Sequence, residues 1–165
     1  MDRFFEKISK KEFFKHYDDY MYDDVILPKR STKSSAGYDF FAIKDFEIKP
    51  GEIIKIPSGY KAKLNDGEVL LLFVRSSMGF KHNIRLINQV GIIDADYYNN
   101  PDNEGHIFVG LQNEGKETYV IKKGSAYLQG IFVNYLTCND IVDKKRVGGI
   151  GSTNKEELKW MKNII

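Results

Sequence analysis

Cysteine is nearly absent from this 165-residue chain, in which Cys138 is the only one. A single thiol cannot form an intrachain disulfide, so we expect a reducing, cytoplasmic setting. A small residue at the end of an apolar strand explains Cys138 better than a nucleophile does. The chain also has only three histidines, His16, His82 and His106, and they are far apart in sequence. We therefore expect no metal site made of protein side chains.

Long hydrophobic runs and a charge of one sign are missing as well. No apolar run approaches the roughly 20 residues that a membrane span needs, and the polar N-terminus does not resemble a signal peptide. The net charge is +2 and the basic residues are scattered, which gives no support to nucleic-acid binding. The length and a hydrophobic content of 42% predict one soluble domain with its own core. We expect neither a membrane nor a nucleic acid as a direct partner.

One amphipathic helix is predicted near the start, over residues 9–21. Ser9 and Glu12 have the spacing of a capping box. The acidic residues that follow suit a helix C-terminus poorly, so the helix should end near residue 21. We interpret it as a packing or docking element. Its apolar face contains Phe13, Phe14, Tyr17, Tyr20 and Met21.

From residue 25 onward the sequence has the texture of a β protein. Short runs rich in Ile, Val, Phe and Tyr alternate with Gly, Pro, Asn and Asp at turn spacing. Long helical patterns between the runs are absent, which argues against a parallel sheet. An all-β barrel or jelly roll is therefore predicted. The predicted strands are 25–27, 37–42, 46–49, 53–56, 59–64, 68–75, 84–87, 90–93, 106–112, 117–121 and 126–136.

The most informative stretch is residues 88–98, in which an apolar run containing Gly91 ends in Asp94, a second acid and two tyrosines. This pattern is typical of a strand that turns at a rim, so the Asp94 carboxylate should lie where apolar packing stops. A half-desolvated carboxylate suits general-base chemistry. The alternative is that Asp94 only caps a turn, which is a common role for aspartate.

Four further stretches contain residues that strand packing does not require. Arg75 is followed by hydroxyl and glycine residues, which suits a polyanion because all these groups offer hydrogen-bond donors. Gln129 places an amide inside an apolar strand, where it must find a partner. Singly, each stretch has an ordinary explanation: a turn, a surface arginine, a buried glutamine or a glycine-rich tail. The stretches are residues 35–40, 75–79, 123–129 and 146–154.

Together, the five stretches resemble the motifs of the trimeric dUTP diphosphatase (dUTPase) family. The resemblance spans about residues 25–154 in the correct order. Residues 27–30 and 98–106 further resemble a subgroup found in Firmicutes bacteria and their phages. The matching segments are 35–40 (Ala-Gly-x-Asp-Leu), 75–79 (Arg-Ser-x-x-Gly), 91–97 (Gly-Val-Ile-Asp-x-x-Tyr), 124–131 (Gly-x-Arg-Ile-x-Gln) and 146–153 (Gly-Gly-Phe-Gly-Ser-Thr).

The resemblance implies a β jelly roll, or distorted barrel, with a short N-terminal helix and a flexible C-terminal arm. It implies a homotrimer with active sites shared between subunits. It also implies Mg²⁺-dependent hydrolysis of dUTP to dUMP and pyrophosphate, which limits uracil in DNA and supplies a thymidylate precursor. The chain would then divide into a helical extension (1–24), the barrel (25–142) and the arm with its tail (143–165).

The resemblance also assigns roles by motif position. Asp94 would orient and deprotonate the water that attacks the α-phosphorus, and Tyr97 would exclude a ribose 2′-hydroxyl. The other roles are uracil recognition by Asn88 and the backbone of 91–94, including Gly91 and Ile93; phosphate binding from a neighbouring subunit by Arg75, Ser76 and Ser77; support of the phosphates and the hydrated metal by Gln129 and Asp39; and closure over the nucleotide by Arg146, Ile150 and Gly151.

The sequence departs from the family pattern at three places. Ile150 replaces the usual Phe of the arm, which removes ring stacking on uracil and should weaken arm closure. Ala126 and Tyr127 replace Arg-Ile, for which we expect a structural difference. Asn154 replaces a terminal Gly, and the tail at 155–165 that follows it has the pattern of a short helix. Two alternative functions are a dCTP deaminase of the same fold and a regulatory member of the family that binds a protein. A regulatory protein partner is expected if the chain is encoded by a phage.

Overall fold

The computed structural model describes residues 3–139 together with residues 142, 146, 148 and 149. In this part of the chain, twelve strands and two short α-helices form the expected all-β architecture, and no helix has the length and apolar character of a membrane span. The strands are β1 (Phe4–Lys7), β2 (Lys29–Arg30), β3 (Tyr38–Phe41), β4 (Phe46–Ile48), β5 (Ile53–Pro57), β6 (Tyr60–Lys63), β7 (Glu68–Val74), β8 (Ile84–Leu86), β9 (Gly91–Asp94), β10 (Phe108–Asn113), β11 (Tyr119–Ile121) and β12 (Ala126–Asn134); the α-helices are α1 (Lys10–Phe13) and α2 (Ser76–His82).

The strands form four sheets of antiparallel pairs. The largest sheet has five strands in the order β2-β3-β12-β7-β9, and a second has the order β5-β10-β8. Two-stranded sheets join β1 to β6 and β11 to β4. Strand order that departs from chain order is typical of a jelly roll, in which long connections bring distant strands together.

A single apolar core lies between these sheets and follows from the two-residue period of the strands. In β10, for example, Val109 and Leu111 are buried while their neighbours are partly exposed. The largest fully buried side chains include Phe13, Phe40 and Tyr60, and Phe40 and Tyr60 pack edge to face at 5.2 Å. Truncating one such aromatic ring to alanine costs about 3–5 kcal/mol in a well-packed core.

The predicted helix over 9–21 is wrong in its extent. Helix α1 ends at Phe13, and a 3₁₀ helix occupies Asp19–Asp24 after an intervening turn. Ser9 Oγ accepts the Glu12 N–H at 3.2 Å, as a capping box requires. In a complete capping box the Ser9 N–H would donate to the Glu12 carboxylate. Here it donates to the Glu104 carboxylate at 3.0 Å. Tertiary contacts thus override the helical pattern.

Other local predictions also need correction. Residues 25–27 form no strand, although Val25 is buried. Strands β1 and β2 and helix α2 were not predicted. β1 pairs with β6, and its Phe5 packs on the rings of Phe40 and Phe132 in the main core. The N-terminal residues therefore contribute to the barrel core, and the boundary at residue 24 stays a prediction.

Two histidines that are far apart in sequence meet at the base of α1. Ligand atoms of Glu12, His16 and His106 lie within 4.8 Å of one another, contrary to the expectation from their spacing. The Gly59 N–H donates to His106 Nε2 at 3.0 Å, so the neutral ring carries its proton on Nδ1, which is 3.6 Å from Glu12 Oε1. Because a cation would need the lone pair at Nδ1, this donor set does not fit a metal.

Burial of His106 predicts a loss of stability in acid. Burial, reinforced by His16, lowers the pKa of His106 to about 4, whereas an unfolded histidine has a pKa near 6.5. Below pH 6.5 the unfolded chain binds more protons, so this contribution to stability is lost as the pH falls towards 4. The free energy of unfolding should fall by about 2 kcal/mol from this group between pH 7 and pH 5.

Urea denaturation at several pH values measures this loss. His106→Gln keeps an acceptor for Gly59 but cannot titrate, so its stability should vary less with pH than that of the wild type. His82→Gln, which changes an exposed histidine, should keep the wild-type dependence. Equal slopes for His106→Gln and the wild type would contradict the assignment.

Candidate active site

The predicted site residues that the structure describes line two cavities with different chemistry. The Arg75 cavity has a volume of about 530 Å³ and the Asp94 cavity about 250 Å³, and they share no lining residue. Ile150 and Gly151 lie outside the described residues. The Arg75 cavity is lined by Ser31, Ser35, Ala36, Gly37, Asp39, Arg75, Ser76, Ser77, Gln129 and Ile131; the Asp94 cavity is lined by Leu72, Asn88, Gly91, Ile92, Ile93, Asp94, Tyr97, Phe108 and Arg146.

Strand pairing assembles the Arg75 cavity. Gln129 of β12 lies directly opposite Asp39 of β3, and Arg75 follows the end of β7. Arg75 Nε is 3.3 Å from Asp39 Oδ1, and Ser31 Oγ donates to Asp39 Oδ2 at 2.5 Å. The guanidinium is thus held by a carboxylate at the wall of the cavity.

Small residues leave room for a ligand in the Arg75 cavity. A Cβ on Gly37 would lie 2.7 Å from Gln129 Oε1, so any larger residue would displace the Gln129 amide. Ser76 and Ser77 are exposed in the first turn of α2, where backbone N–H groups have no intrahelical partner. An arginine, two hydroxyls and free N–H groups together form a site for a polyanion.

Ala126 and Tyr127, which replace Arg-Ile of the family motif, lie at an irregular point of the sheet, and a structural difference from the family stays a prediction. The Tyr127 side chain is 1% exposed and belongs to the core. The pairing of β12 with β3 shifts register between Ala126 and Leu128. The Ala126 carbonyl accepts a hydrogen bond from Arg75 Nη1 at 3.3 Å. The chain therefore uses the backbone at this position to hold Arg75.

Asp94 ends β9 at the mouth of the second cavity. It precedes the 3₁₀ turn Ala95–Tyr97, but its side chain makes no capping hydrogen bond, so the turn-capping alternative is wrong. The carboxylate is half exposed, as the sequence pattern predicted. Gly91, at the start of β9, lines the cavity, and no side chain fits there because a Cβ would lie 2.9 Å from Leu72 Cβ.

Tyr97 forms a wall of the same cavity and is held by its hydroxyl. Its side chain is buried, its Oη donates to the His106 carbonyl at 3.0 Å, and Asn103 Nδ2 donates to Oη at 2.8 Å. Burial raises the pKa of Tyr97, so the phenol stays protonated and can act as donor and acceptor at once.

Arg146 covers the Asp94 cavity from the C-terminal segment. Its Nη2 donates to Asp94 Oδ2 at 2.6 Å, its Nε donates to Asp96 Oδ1 at 2.8 Å, and its Cζ lies 5.5 Å from the centre of the Tyr97 ring. The Gly149 N–H donates to Asp102 Oδ2 at 2.9 Å. Arg146, one of the residues predicted to close over a ligand, thus lines this cavity.

The register of one strand pair keeps the two cavities apart. In the antiparallel pairing of β7 with β9, Asp94 lies opposite Val69, whereas Arg75 follows the other end of β7. Six residues of extended chain span about 20 Å. Arg75 and Asp94 of one chain are therefore too far apart to contact the same small group.

Several lining residues were missed by sequence reasoning. Ser35 and Ala36 lie in the first matched motif, so the sequence did contain a signal for them. Ser31 and Phe108 carry no such signal, because they reach the cavities only through strand pairing and packing. Asn103 was also missed, since its contact with Tyr97 depends on a loop conformation that the spacing does not reveal.

Comparison with known proteins agrees with this geometry. A family model described as dUTPase matches residues 23–154. The chain belongs to the dUTPase family. It is 48% identical over 132 residues to the deoxyuridine 5′-triphosphate nucleotidohydrolase of Lactococcus lactis, covering 78% of this chain and 88% of the relative. The crystal structure of the Streptococcus mutans dUTPase matches with a TM-score of 0.68 and 43% identity, covering 82% of this chain and 98% of that one.

A more distant dUTPase has the same fold. The enzyme of the Staphylococcus aureus phage phi11 matches with a TM-score of 0.66 and 19% identity, covering 90% of this chain and all of that one, 100%. At this identity the likeness supports the fold alone. The more similar relatives, from Lactococcus lactis and Streptococcus mutans, agree with the predicted Firmicutes-like subgroup.

The close approach at Gly37 predicts that Gly37→Ala weakens anion binding. The added Cβ must push the Gln129 amide away, and loss of one well-placed contact corresponds to about tenfold in affinity. Calorimetric titration with pyrophosphate measures the change. Gly67→Ala is the control, because it introduces strain at φ +78° in open space and should keep the wild-type affinity. Unchanged binding in Gly37→Ala would contradict the described packing.

Proposed function

We propose that the protein is a dUTP diphosphatase that hydrolyses dUTP to dUMP and pyrophosphate. The observation that carries this proposal is the different chemistry of the two cavities. One offers donors for a polyphosphate, and the other offers a carboxylate beside a small, walled pocket. A nucleoside triphosphate has matching halves, and membership of the dUTPase family supports this substrate.

In the proposed mechanism, Asp94 orients a water molecule and removes its proton as the water attacks the α-phosphorus. Displacement at phosphorus needs an oriented nucleophile and neutralisation of charge, not a covalent intermediate. The half-exposed carboxylate at the end of β9 is accessible to water and rigidly supported by the sheet. Arg146 pairs with this carboxylate, and we infer that it turns towards the phosphates when the nucleotide binds.

The Asp94 cavity would hold the nucleoside. Asn88 and the backbone of Gly91 to Asp94 supply amide groups for the uracil edge, with Ile93 in the same wall. Gly91 lines this cavity together with Leu72, and a side chain at Gly91 would collide with Leu72. Tyr97 would pack against the deoxyribose and leave no room for a 2′-hydroxyl.

The phosphates would be held by a different copy of the chain. Because Arg75 and Asp94 of one chain lie at opposite ends of the β7–β9 pair, one nucleotide requires the Arg75 cavity of a neighbouring subunit. We propose the homotrimer of the family as the assembly that provides it. Arg75, Ser76, Ser77 and Gln129 would then bind the triphosphate of a nucleotide seated in the partner's Asp94 cavity.

The donor set of the Arg75 cavity fits a Mg²⁺ ion that arrives with its substrate. Mg²⁺ prefers oxygen ligands and keeps several waters, so a triphosphate supplies most of what it needs. Asp39 is the only carboxylate among the lining residues and is already paired with Arg75 and Ser31. It would therefore hold the ion through water. When bound, the ion would neutralise phosphate charge.

Two other functions receive less support. A dCTP deaminase is not favoured, because the matching family model is that of dUTPase and the similar bacterial relative is a deoxyuridine 5′-triphosphate nucleotidohydrolase. A regulatory role with a protein partner stays a prediction, as does the cytoplasmic location inferred from the single cysteine.

Pyrophosphate release from dUTP, dCTP, dTTP and UTP with Mg²⁺ tests the proposal. We expect hydrolysis of dUTP alone. Asp94→Asn should lower kcat by at least about a hundredfold, because general-base catalysis contributes about 10²–10⁴-fold. Release of ammonia from dCTP would show that the protein is a deaminase instead. Full activity of Asp94→Asn would refute the role of Asp94 as the general base.

A further inference from the structure

The loop at residues 99–105, which we call the asparagine loop, connects the turn containing Tyr97 to β10. Asn100 is 5% exposed, and its Nδ2 donates to the Tyr97 carbonyl and to Asn103 Oδ1, both at 2.8 Å. Asn100 Oδ1 accepts the N–H groups of Asp102 and Asn103 at 3.1 and 3.2 Å. One buried amide thus fixes the loop against the backbone of Tyr97.

The loop also fixes the tip of the Tyr97 ring. Asn103 Nδ2 donates to Tyr97 Oη at 2.8 Å, and the same oxygen donates to the His106 carbonyl at 3.0 Å. Asn103 is itself held, since its Oδ1 accepts the Gly105 N–H at 3.1 Å. Two tethers on one oxygen, one from within the loop and one from the residue that follows it, leave the ring little freedom to tilt.

We propose that Asn103 is a positioning residue for sugar selection, acting through the hydroxyl of Tyr97. This inference rests on the proposed function, in which Tyr97 packs against the deoxyribose. A pocket rejects an added hydroxyl only weakly, by about a hundredfold, when it relies on shape alone. To exclude the 2′-hydroxyl by shape, the Tyr97 ring must not be able to move aside by the size of one oxygen atom. Asn103 holds that wall from outside the cavity and does not line it.

The test compares kcat/KM for dUTP with that for UTP in variants of the full chain. Asn103→Ala should lower the ratio about tenfold, the effect of losing one hydrogen bond near the upper end of the usual range. The change should come mainly from faster UTP hydrolysis. Tyr97→Phe removes this contact together with the hydrogen bond to the His106 carbonyl, and should lower the ratio at least as much.

A double-variant cycle separates positioning from general damage. If Asn103 acts through the hydroxyl, Asn103→Ala in the Tyr97→Phe background should change the ratio no further. Asp102→Ala is the matched control in the same loop, because the Asp102 carboxylate accepts a hydrogen bond from Gly149 and makes none with the Tyr97 hydroxyl. It should affect dUTP and UTP alike and leave the ratio unchanged. A purely structural role of Asn103 would also lower both activities equally.

An unchanged ratio in folded Asn103→Ala, or additive effects in the double variant, would overturn the inference. If Asn103→Ala does not fold, Tyr97→Phe decides, and an unchanged ratio there overturns it. Calorimetric affinities for dUDP and UDP give the same ratio without turnover. Sugar discrimination in binding without hydrolysis of dUTP would refute the proposed function and leave this inference to be judged on the affinity ratio.

Discussion

The antiparallel register between β7 and β9 is the constraint on which the account of this protein depends. Gly91 must lie opposite Leu72, because only a residue without a side chain fits 2.9 Å from Leu72 Cβ. That register fixes Asp94 opposite Val69 and leaves Arg75 beyond the other end of β7. A one-residue slip would turn every side chain of β9 to the other face of the sheet. Packing in the sheet thus decides where the chemistry lies.

A second layer of support lies behind the Asp94 cavity. His106 accepts the Gly59 N–H through its ring and the Tyr97 hydroxyl through its carbonyl, so the core and the cavity wall share one residue. Glu104 of the same segment accepts from Ser9 and ties the asparagine loop to the start of α1. The N-terminal residues, which contain none of the matched motifs, therefore help to hold the segment that follows Tyr97.

The sequence predicted much of the barrel and most of the site. Strands β3 to β12 were found because alternating apolar residues and turn residues are local signals, and Asp94, Arg75 and Gln129 all lie in the cavities. Strand β1 escaped because its stability comes from pairing with the distant β6. Helix α1 is shorter than predicted, and its capping box is divided because the Ser9 N–H donates to the distant Glu104. The meeting of His16 with His106, like the contact of Asn103 with Tyr97, depends on tertiary packing that spacing does not encode.

Complementation between two inactive variants tests the central claim that one site needs two chains. Asp94→Asn and Arg75→Gln should each be inactive, and mixed oligomers isolated by two different tags should recover about a third of wild-type activity, since a trimer that contains both variants has one intact site in three. Asp94→Asn mixed with Tyr97→Ala, which alters the same cavity, should recover nothing beyond its parents. If confirmed mixed oligomers of Asp94→Asn and Arg75→Gln showed no dUTP hydrolysis, that result would contradict the account.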